Sequence, residues 1–298
     1  MKTKIISSAI AGLALTAICA TSAQAFSLNG GYKGGITFGF TSFDMGTNYA
    51  KPAGAANNTS GTLCNSIGTC DAAAASLAPG AIGSEDTWGI FQITTIVSND
   101  GFNTLLWSQG QGGEFITGIF GGLSDENVDY NVSPSGSTSF TTVSKGGFVK
   151  FYLDTQLADY NAGAALGAAG RTGAQSFTGA TNGTLLLDYV FAGTANADHV
   201  GFGYSSNFDG ASLVGNGSGY LDLVGGSYAS QLTKGTEVDL NGQARDAFLL
   251  AGFRPNPAAK NWTVTNRGGL DTATIPEPAS LALFGLGLAG LAALRRRK

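Results

Sequence analysis

The chain has few charged residues and almost no histidine. Only 12% of its 298 residues are charged, and His199 is the single histidine, whereas glycine occurs 46 times. This composition is not typical of a helical enzyme, and one histidine offers little material for acid–base catalysis. A hydrophobic content of 43% is nevertheless enough for a folded core, which argues against a disordered chain.

Clusters of basic residues are missing from the body of the chain. Removing residues 1–25 and 275–298 takes six of the sixteen basic residues and one of the twenty acidic residues, which leaves ten and nineteen and a net charge of about −9. Phosphate binding needs clustered lysine and arginine, so nucleic acid is not expected as a partner. Cations or a hydrated polysaccharide matrix fit this surface better.

Cysteine is also scarce, with three residues in the whole chain. Cys19 lies in the N-terminal segment described below, which leaves Cys64 and Cys70 in the body. In an oxidising compartment two such residues are expected to form a disulfide, here within a Gly-, Ala- and Asn-rich insertion at about residues 51–83. A metal site is the alternative, although His199 is far away in the sequence.

Residues 1–25 have the pattern of a cleavable secretory signal peptide. Lys2 and Lys4 give a basic start, a mostly apolar stretch follows, and Ala23-Gln24-Ala25 fits the small-x-small cleavage pattern. Cleavage there leaves Phe26 as the first residue. We therefore predict export through the Sec route, with an uncleaved membrane anchor as the alternative.

The last 24 residues combine two prolines, an uncharged stretch and a basic end. Pro276-Glu277-Pro278 precedes an apolar segment over residues 279–294, which is followed by Arg295, Arg296, Arg297 and Lys298. Sixteen helical residues span about 24 Å, against about 30 Å for the hydrocarbon core of a bilayer. Because the segment lacks a polar stripe and the basic end favours the cytoplasm, we predict a short transmembrane helix rather than a buried core helix.

These three parts, in this order after an export signal, resemble the PEP-CTERM sorting signal of Gram-negative bacteria. The resemblance implies that an exosortase, a membrane-embedded cysteine-type transpeptidase, recognises Pro276, Glu277 and Pro278 as substrate. It also implies brief anchoring in the inner membrane, cleavage near this motif and transfer to the cell surface or an extracellular matrix. Ala279-Ser280 departs slightly from the pattern, where Ser-Thr is frequent.

Residues 26–265 contain about a dozen short segments with the chemistry of β-strands. In residues 147–153, for example, Phe148, Lys150 and Tyr152 alternate with three apolar residues. Pairs such as Asn241-Gly242 separate the segments as tight turns, and only residues 154–169 look helical. Without a fixed-period repeat, this pattern predicts an all-β fold, an antiparallel β-sandwich or jelly roll. Residues 266–274 are expected to form a stalk above the membrane.

One acidic segment is a candidate metal site. Asp125, Glu126 and Asp129 fall within six residues, and hard oxygen ligands of this kind suit calcium. The spacing does not match an EF-hand loop, so a plain hydrated loop is the alternative. No other cofactor is expected.

Carbohydrate chemistry is the main alternative to a structural role. Tryptophans can stack on sugar rings, with Trp107 the best surface candidate and Trp88 favoured as core. Pairs of acids can cleave glycosidic bonds when their carboxyl groups lie about 5–9 Å apart, and the candidates are Glu85/Asp86, Asp125/Glu126/Asp129 and Glu237/Asp239. No G-x-S-x-G motif is present to place a nucleophilic serine.

Together these features predict a non-enzymatic exported protein of the cell surface or of a biofilm matrix. Its partners are expected to be an exosortase and an extracellular polysaccharide, with membrane contact through the C-terminal helix before processing. A carbohydrate-binding or glycan-cleaving β-sandwich with the same tail is the alternative.

Overall fold

A computed structural model describes residues 28, 32–46, 85–209, 212, 214–255, 262 and 264–275 of the chain. Its strands, in chain order, are β1 (Gly35–Gly46), β2 (Thr87–Ser98), β3 (Leu105–Ser108), β4 (Phe115–Val132), β5 (Thr138–Asp154), β6 (Arg171–Gly173), β7 (Ser176–Phe177), β8 (Thr184–Phe191), β9 (Tyr204–Asp209), β10 (Gly215–Gly225), β11 (Leu232–Thr233), β12 (Glu237–Val238), β13 (Ala244–Arg245), β14 (Ala247–Pro255) and β15 (Val264–Thr274). One α-helix occurs in the described part, α1 (Leu157–Ala164).

Eight of these strands close into a barrel. The order around it is β1-β15-β14-β10-β8-β5-β4-β2, and β2 pairs back with β1, every pairing being antiparallel. Strand β1 shows the closure directly, because Phe38 lies opposite Leu270 of β15 on one side and Ile96 of β2 on the other. Closure pairs both sides of each barrel strand and so leaves no open edge for unwanted strand pairing.

We call the two ends of the barrel the tail end and the mouth end. The tail end is where β1 begins and β15 ends at Thr274; the mouth end is where β1 ends at Gly46. Between β10 and β5, strand β8 completes the barrel at the tail end and β9 takes its place at the mouth end. The long strands β4 and β5 span both levels. Their pairing keeps one register past Gly122 and Gly146 and shifts only between Asp125 and Asn127.

The tail end of the barrel is filled by apolar side chains. Alternate residues of each strand point inward, as the two-residue period requires. The least exposed of them come from β1, β2, β4, β8, β10 and β15 and include Ile36, Phe38, Ile93, Ile96, Ile116, Leu187, Leu221 and Leu270. Burial of this apolar surface is the main force that holds the barrel together.

A second apolar cluster lies outside the barrel wall. It is formed where the segment between β5 and β8, which contains α1, packs on the outer face of β2, β4 and β5. Trp88 of β2 and Trp262 meet edge to face at 5.5 Å, and the indole N–H of Trp262 donates to the Ala164 carbonyl oxygen at 2.7 Å. These contacts fix the loop segment onto the wall.

The prediction of an all-β fold is confirmed, whereas the prediction of a sandwich or jelly roll is wrong. Alternating strands are equally compatible with two packed sheets and with one closed sheet, because both bury one face of every strand. Pairing of β1 with both β2 and β15 closes the sheet. The predicted body boundary at residue 265 is also too early.

The predicted stalk over residues 266–274 is wrong as well, because these residues lie in barrel strand β15. Thr274 is still held at the tail end, where its N–H donates to the Gly34 carbonyl oxygen at 2.8 Å and the Gly34 N–H donates to the Thr274 hydroxyl at 2.9 Å. The N–H of Ile275 donates to the Gln231 carbonyl oxygen at 2.8 Å. The barrel therefore continues up to the residue before Pro276.

Several predicted features fall outside the described residues. These are the signal peptide with its cleavage site at Ala23, Ala25 and Phe26, the insertion over residues 51–83 with Cys64 and Cys70, and the segment from Pro276 to Lys298. Within the part of the chain that is described, no helix is long and apolar enough to cross a membrane.

An ion pair on the barrel wall gives a stability prediction. The guanidinium of Arg171 donates to both carboxylate oxygens of Glu85 at 2.6 and 3.0 Å and lies 4.3 Å from the centre of the Trp88 ring. The side chains of Arg171 and Glu85 are only 1% and 9% exposed. Arg171→Met should lower the free energy of unfolding by about 3 kcal/mol, because Glu85 then loses its cationic partner while its side chain remains largely buried. Denaturant unfolding measures this.

The matched control is Arg267→Met at an exposed position of β15, expected to change stability by no more than about 0.5 kcal/mol. A double variant, Glu85→Leu with Arg171→Met, should recover part of the loss because no buried charge remains. If Arg171→Met and Arg267→Met lower the free energy of unfolding equally, the Arg171–Glu85 ion pair does not stabilise the barrel as predicted.

Candidate functional site

The half of the barrel toward the mouth end contains a cavity. It is small, with a water-accessible volume of about 50 Å³. Its described lining comes from strands all around the barrel and comprises Phe40, Ser42, Asp44, Thr87, Phe91, Phe120, Leu123, Val149, Phe151, Phe191, Tyr204, Leu249, Ala251, Asn266 and Leu270. Ligand pockets in proteins are mostly apolar in this way, with a few polar groups that fix orientation.

Aromatic rings form most of the cavity wall. Phe91 packs edge to face against Phe151 at 4.9 Å and against Phe40 at 6.3 Å between ring centres. On the neighbouring strands β8 and β9, Phe191 meets Tyr204 at 5.5 Å in the same arrangement. Edge-to-face contacts of this kind hold rings in fixed orientations, so the wall is built before any ligand arrives.

One glycine makes room for this aromatic wall. A Cβ atom at Gly118 of β4 would overlap the ring of Phe91 and the backbone oxygen of Lys150. Glycine there lets the ring lie against the strand backbone instead of projecting across the barrel.

Three polar side chains stand together on the cavity wall near the mouth. Asp44 accepts a hydrogen bond from the Ser42 hydroxyl at 2.7 Å and another from the side-chain amide of Asn266. Ser42 and Asn266 lie directly opposite each other in the pairing of β1 with β15. The amide oxygen of Asn266 is buried and has no hydrogen-bond partner among the described residues.

Burial changes the chemistry of Asp44. Loss of hydration raises the pKa of its carboxyl from 3.8 to about 7, although the hydrogen bonds from Ser42 and Asn266 act in the opposite direction. The side chain therefore changes charge near neutral pH, in contrast to an ordinary aspartate.

The cavity lining lies toward the end of the barrel opposite to Thr274, the last residue of β15. Asn266 lines the cavity, and eight residues later Thr274 leaves the barrel at the tail end. At roughly 3.3 Å per residue this separates the two by about 26 Å along β15. When the protein is attached through residues beyond 275, its cavity therefore lies toward the end of the barrel away from the attachment point.

The structure does not bring the predicted calcium ligands together. Asp125, Glu126 and Asp129 lie on strand β4 and not in a loop, because a bulge at residues 125–127 keeps the ladder continuous. Asp125 is buried and accepts from the Ser144 hydroxyl at 2.5 Å, Glu126 is exposed, and Asp129 accepts from Asn127 at 3.3 Å. No group of three metal-binding side chains occurs within the described residues.

The other candidate acids make structural contacts. Glu85 binds Arg171, and Asp86 accepts from the backbone N–H of Asp125 at 2.7 Å. Asp239 accepts from two backbone N–H groups of its own turn and from Arg245 at 3.0 Å. His199 lies 3.2 Å from the side-chain nitrogen of Asn127. These groups hold turns and strands in place.

The tryptophans do not form an exposed sugar platform. Trp88 is 6% exposed, as predicted for a core residue, and Trp262 is also 6% exposed. Trp107 was the best surface candidate, and that prediction is wrong, because it is 1% exposed in the apolar core of the barrel.

The cavity and its polar group were not predicted from the sequence. The pattern of β1 held a signal for it, since Ile36, Phe38, Phe40, Ser42 and Asp44 fall at every second position and so share the inward face. An acid that continues an apolar stripe on a strand is expected to be buried. The sequence alternation predicts the first strand over residues 35–40, which leaves Asp44 outside it. Asn266 lies in the predicted stalk, residues 266–274.

Comparison with known proteins identifies the C-terminal segment alone. Residues 274–298 match the PEP-CTERM protein-sorting motif. Neither a curated protein nor a solved structure matches the chain. The resemblance seen in the sequence is therefore confirmed, and it indicates an exported protein that an exosortase processes at the membrane before it reaches the surface.

Proposed function

We propose that this chain is a non-enzymatic protein of the cell surface or extracellular matrix that acts by binding or adhesion. The observation that carries this proposal is the direct fusion of a sorting motif to a closed barrel. The motif match begins at Thr274, which is the last residue of β15. The barrel is therefore the cargo that the sorting system delivers.

The arrangement of the barrel supports a role at the surface. Its chain exit and its cavity lie at opposite ends, so attachment at the tail end leaves the mouth facing outward. We include in the proposal an export through the Sec route and contact with the inner membrane through residues 279–294 before processing.

The contacts of the acidic residues support the proposal that the protein is not a glycosidase. A glycosidase needs two carboxyl groups that face one substrate across a cleft. Glu85, Asp86 and Asp239 instead bind arginine or backbone N–H groups. With a net charge of about −9, the body is expected to associate with a hydrated polysaccharide through neutral hydrogen bonding or bridging cations, since a negative surface repels acidic polymers.

Deletion and complementation of the gene test this proposal. Cells that lack the protein should retain less extracellular polysaccharide and aggregate less, and the full-length chain should restore both properties. A chain that ends at Ile275 keeps the barrel but lacks the sorting signal, so it should be exported, fail to stay at the surface and fail to restore aggregation.

An activity assay on the exported protein separates the alternatives. Incubation with the polysaccharide of the same cells should release no new reducing ends. Release of oligosaccharides that is lost in Asp125→Asn or Glu237→Gln variants would instead establish a glycan-cleaving protein, and unchanged aggregation in the deletion strain would remove the structural role.

A further inference from the structure

We propose that the tail end of the barrel is a membrane-contact surface, in which the loop between β2 and β3 places the ring of Phe102 in the headgroup region of the bilayer. This inference rests on the proposed contact of residues 279–294 with the inner membrane before processing. It goes further because it assigns the orientation of the barrel on the bilayer and the residue that contacts lipid.

Phe102 is unusually exposed for an aromatic residue. It is 87% exposed, the highest value among the large apolar residues that the structure describes. Leu105, at the start of β3, and Ile275, at the chain exit, are also exposed. Single exposed apolar side chains are common on soluble proteins, so the argument depends on where these residues lie relative to the membrane segment.

The loop lies beside the point where the chain leaves the barrel. Gly35 of β1 lies opposite Ala273 of β15 on one side, and on the other side its carbonyl oxygen accepts from the N–H of Asn99 at 2.7 Å. Ala273 and Asn99 are thus two strand spacings apart, about 10 Å. Strands β15 and β2 both run toward the tail end, so the loop beyond Asn99 and the exit at Ile275 project from the barrel in the same direction.

The chain length beyond the barrel keeps this end close to the bilayer. Ile275 is still hydrogen-bonded within the fold, and the apolar segment begins at residue 279. Four residue steps span at most about 14 Å, and each polar headgroup layer is about 5–8 Å thick. With residue 279 at the edge of the hydrocarbon core, the chain exit lies within about 10 Å of the headgroup surface. So short a tether keeps a weak apolar contact at high local concentration.

Hydrogen bonds hold the loop in the shape that exposes Phe102. One carboxylate oxygen of Asp100 accepts from the Ser98 hydroxyl at 2.7 Å and from the backbone N–H of Phe102 at 3.0 Å. The Ser98 N–H donates to the Thr104 carbonyl oxygen at 2.8 Å, which closes the loop. Because the ring is presented by a loop that is already ordered, little conformational freedom is lost when it contacts lipid.

Tryptophan fluorescence tests this orientation on the unprocessed chain in vesicles of phosphatidylethanolamine and phosphatidylglycerol. Phe102→Trp places a reporter in the loop, and Val214→Trp places one at an exposed position just before β10, at the mouth end. The three native tryptophans are buried and give the same background in both variants. Lipids with a quencher near the headgroup should quench Phe102→Trp at least about twofold more than Val214→Trp, because interfacial apolar side chains lie at the boundary of headgroups and acyl chains.

Hydrogen exchange on the unaltered chain gives the same test without a substitution. In vesicles, the amides of residues 99–105 should exchange at least about twofold more slowly than in a chain that ends at Ile275, which lacks the membrane segment. The turn over residues 133–137, at the mouth end, is the control and should exchange equally in both chains.

Two results overturn the proposal, and they differ in what else they remove. If the chain floats with the vesicles but the two tryptophan variants are quenched equally, or the loop exchanges equally in both chains, the tail end does not contact the bilayer. The proposed contact through residues 279–294 then stands. If the chain does not float with the vesicles, that contact and this inference are both wrong.

Discussion

Replacing Pro276, Glu277 and Pro278 with alanine is expected to abolish processing of the protein almost completely. The uncut precursor should accumulate in the inner membrane, and the surface form should disappear. We expect this because the apolar segment and the basic end should be sufficient for insertion, whereas the resemblance implies that an exosortase recognises the motif itself. Proline fixes its own backbone angle and restricts the residue before it, a constraint that alanine does not reproduce.

The structure makes this experiment easy to interpret. The barrel continues to Ile275, which is still hydrogen-bonded to Gln231, so the substitution begins one residue beyond the fold and should leave barrel stability unchanged. Immunoblots of membrane, surface and medium fractions, with mass spectrometry of the C-terminus, measure the outcome. Ser280→Ala, just beyond the motif, is the control and should be processed normally. Normal processing and delivery of the triple variant would show that these residues are not the sorting signal.

Asp44 is expected to make the stability of the barrel fall as the pH rises through neutrality. Its folded pKa of about 7 lies above its ordinary value of 3.8, so the folded state holds a proton that the unfolded state releases. The stabilisation is fully present below about pH 4 and is lost as the pH rises through 7. About three pKa units correspond to an upper limit of about 4 kcal/mol.

Asp44→Asn should remove this dependence, because the amide keeps the shape of the side chain and never ionises. The variant should be more stable than the wild type at pH 8, with the difference shrinking toward pH 4. Tyr160 and Tyr204 feel the charge of Asp44, but burial, and after it this charge, raise the pKa of both above 10.0. They therefore stay neutral throughout the window.

Denaturant unfolding from pH 4 to pH 8 measures the effect. Asp198→Asn, at an exposed position, changes the net charge equally and serves as the control. If wild type and Asp44→Asn show parallel pH profiles, Asp44 does not carry the proposed proton.

Local sequence patterns predicted many individual strands but not their full lengths. The sequence pattern predicts a strand over residues 184–191, and the structure has a strand with these bounds. The pattern predicts only residues 114–120 of β4, and it divides β5 into residues 137–142 and 147–153. In the structure, Gly122, Gly146 and Gly147 have positive φ angles and produce irregularities within continuous strands. A pair of glycines can lie in a turn between two strands or within one continuous strand. Pairing with the neighbouring strand decides between the two.

The sequence by itself determined the features that depend on neighbouring residues. The sorting motif is read as a linear substrate, so its order along the chain was sufficient to identify it. The all-β class followed from alternation along each strand. Turns such as Asn241-Gly242 were also predictable, since Gly242 takes the left-handed conformation with φ 78°.

Only the tertiary structure decided how the strands close and where the cavity lies. Closure depends on Phe38 meeting Leu270, more than two hundred residues away, and alternation within a strand does not specify a distant partner. The position of Asp44 beside Asn266 depends on the same register. Because no strand contributes more than three residues to the wall, the cavity exists only once these distant strands have paired.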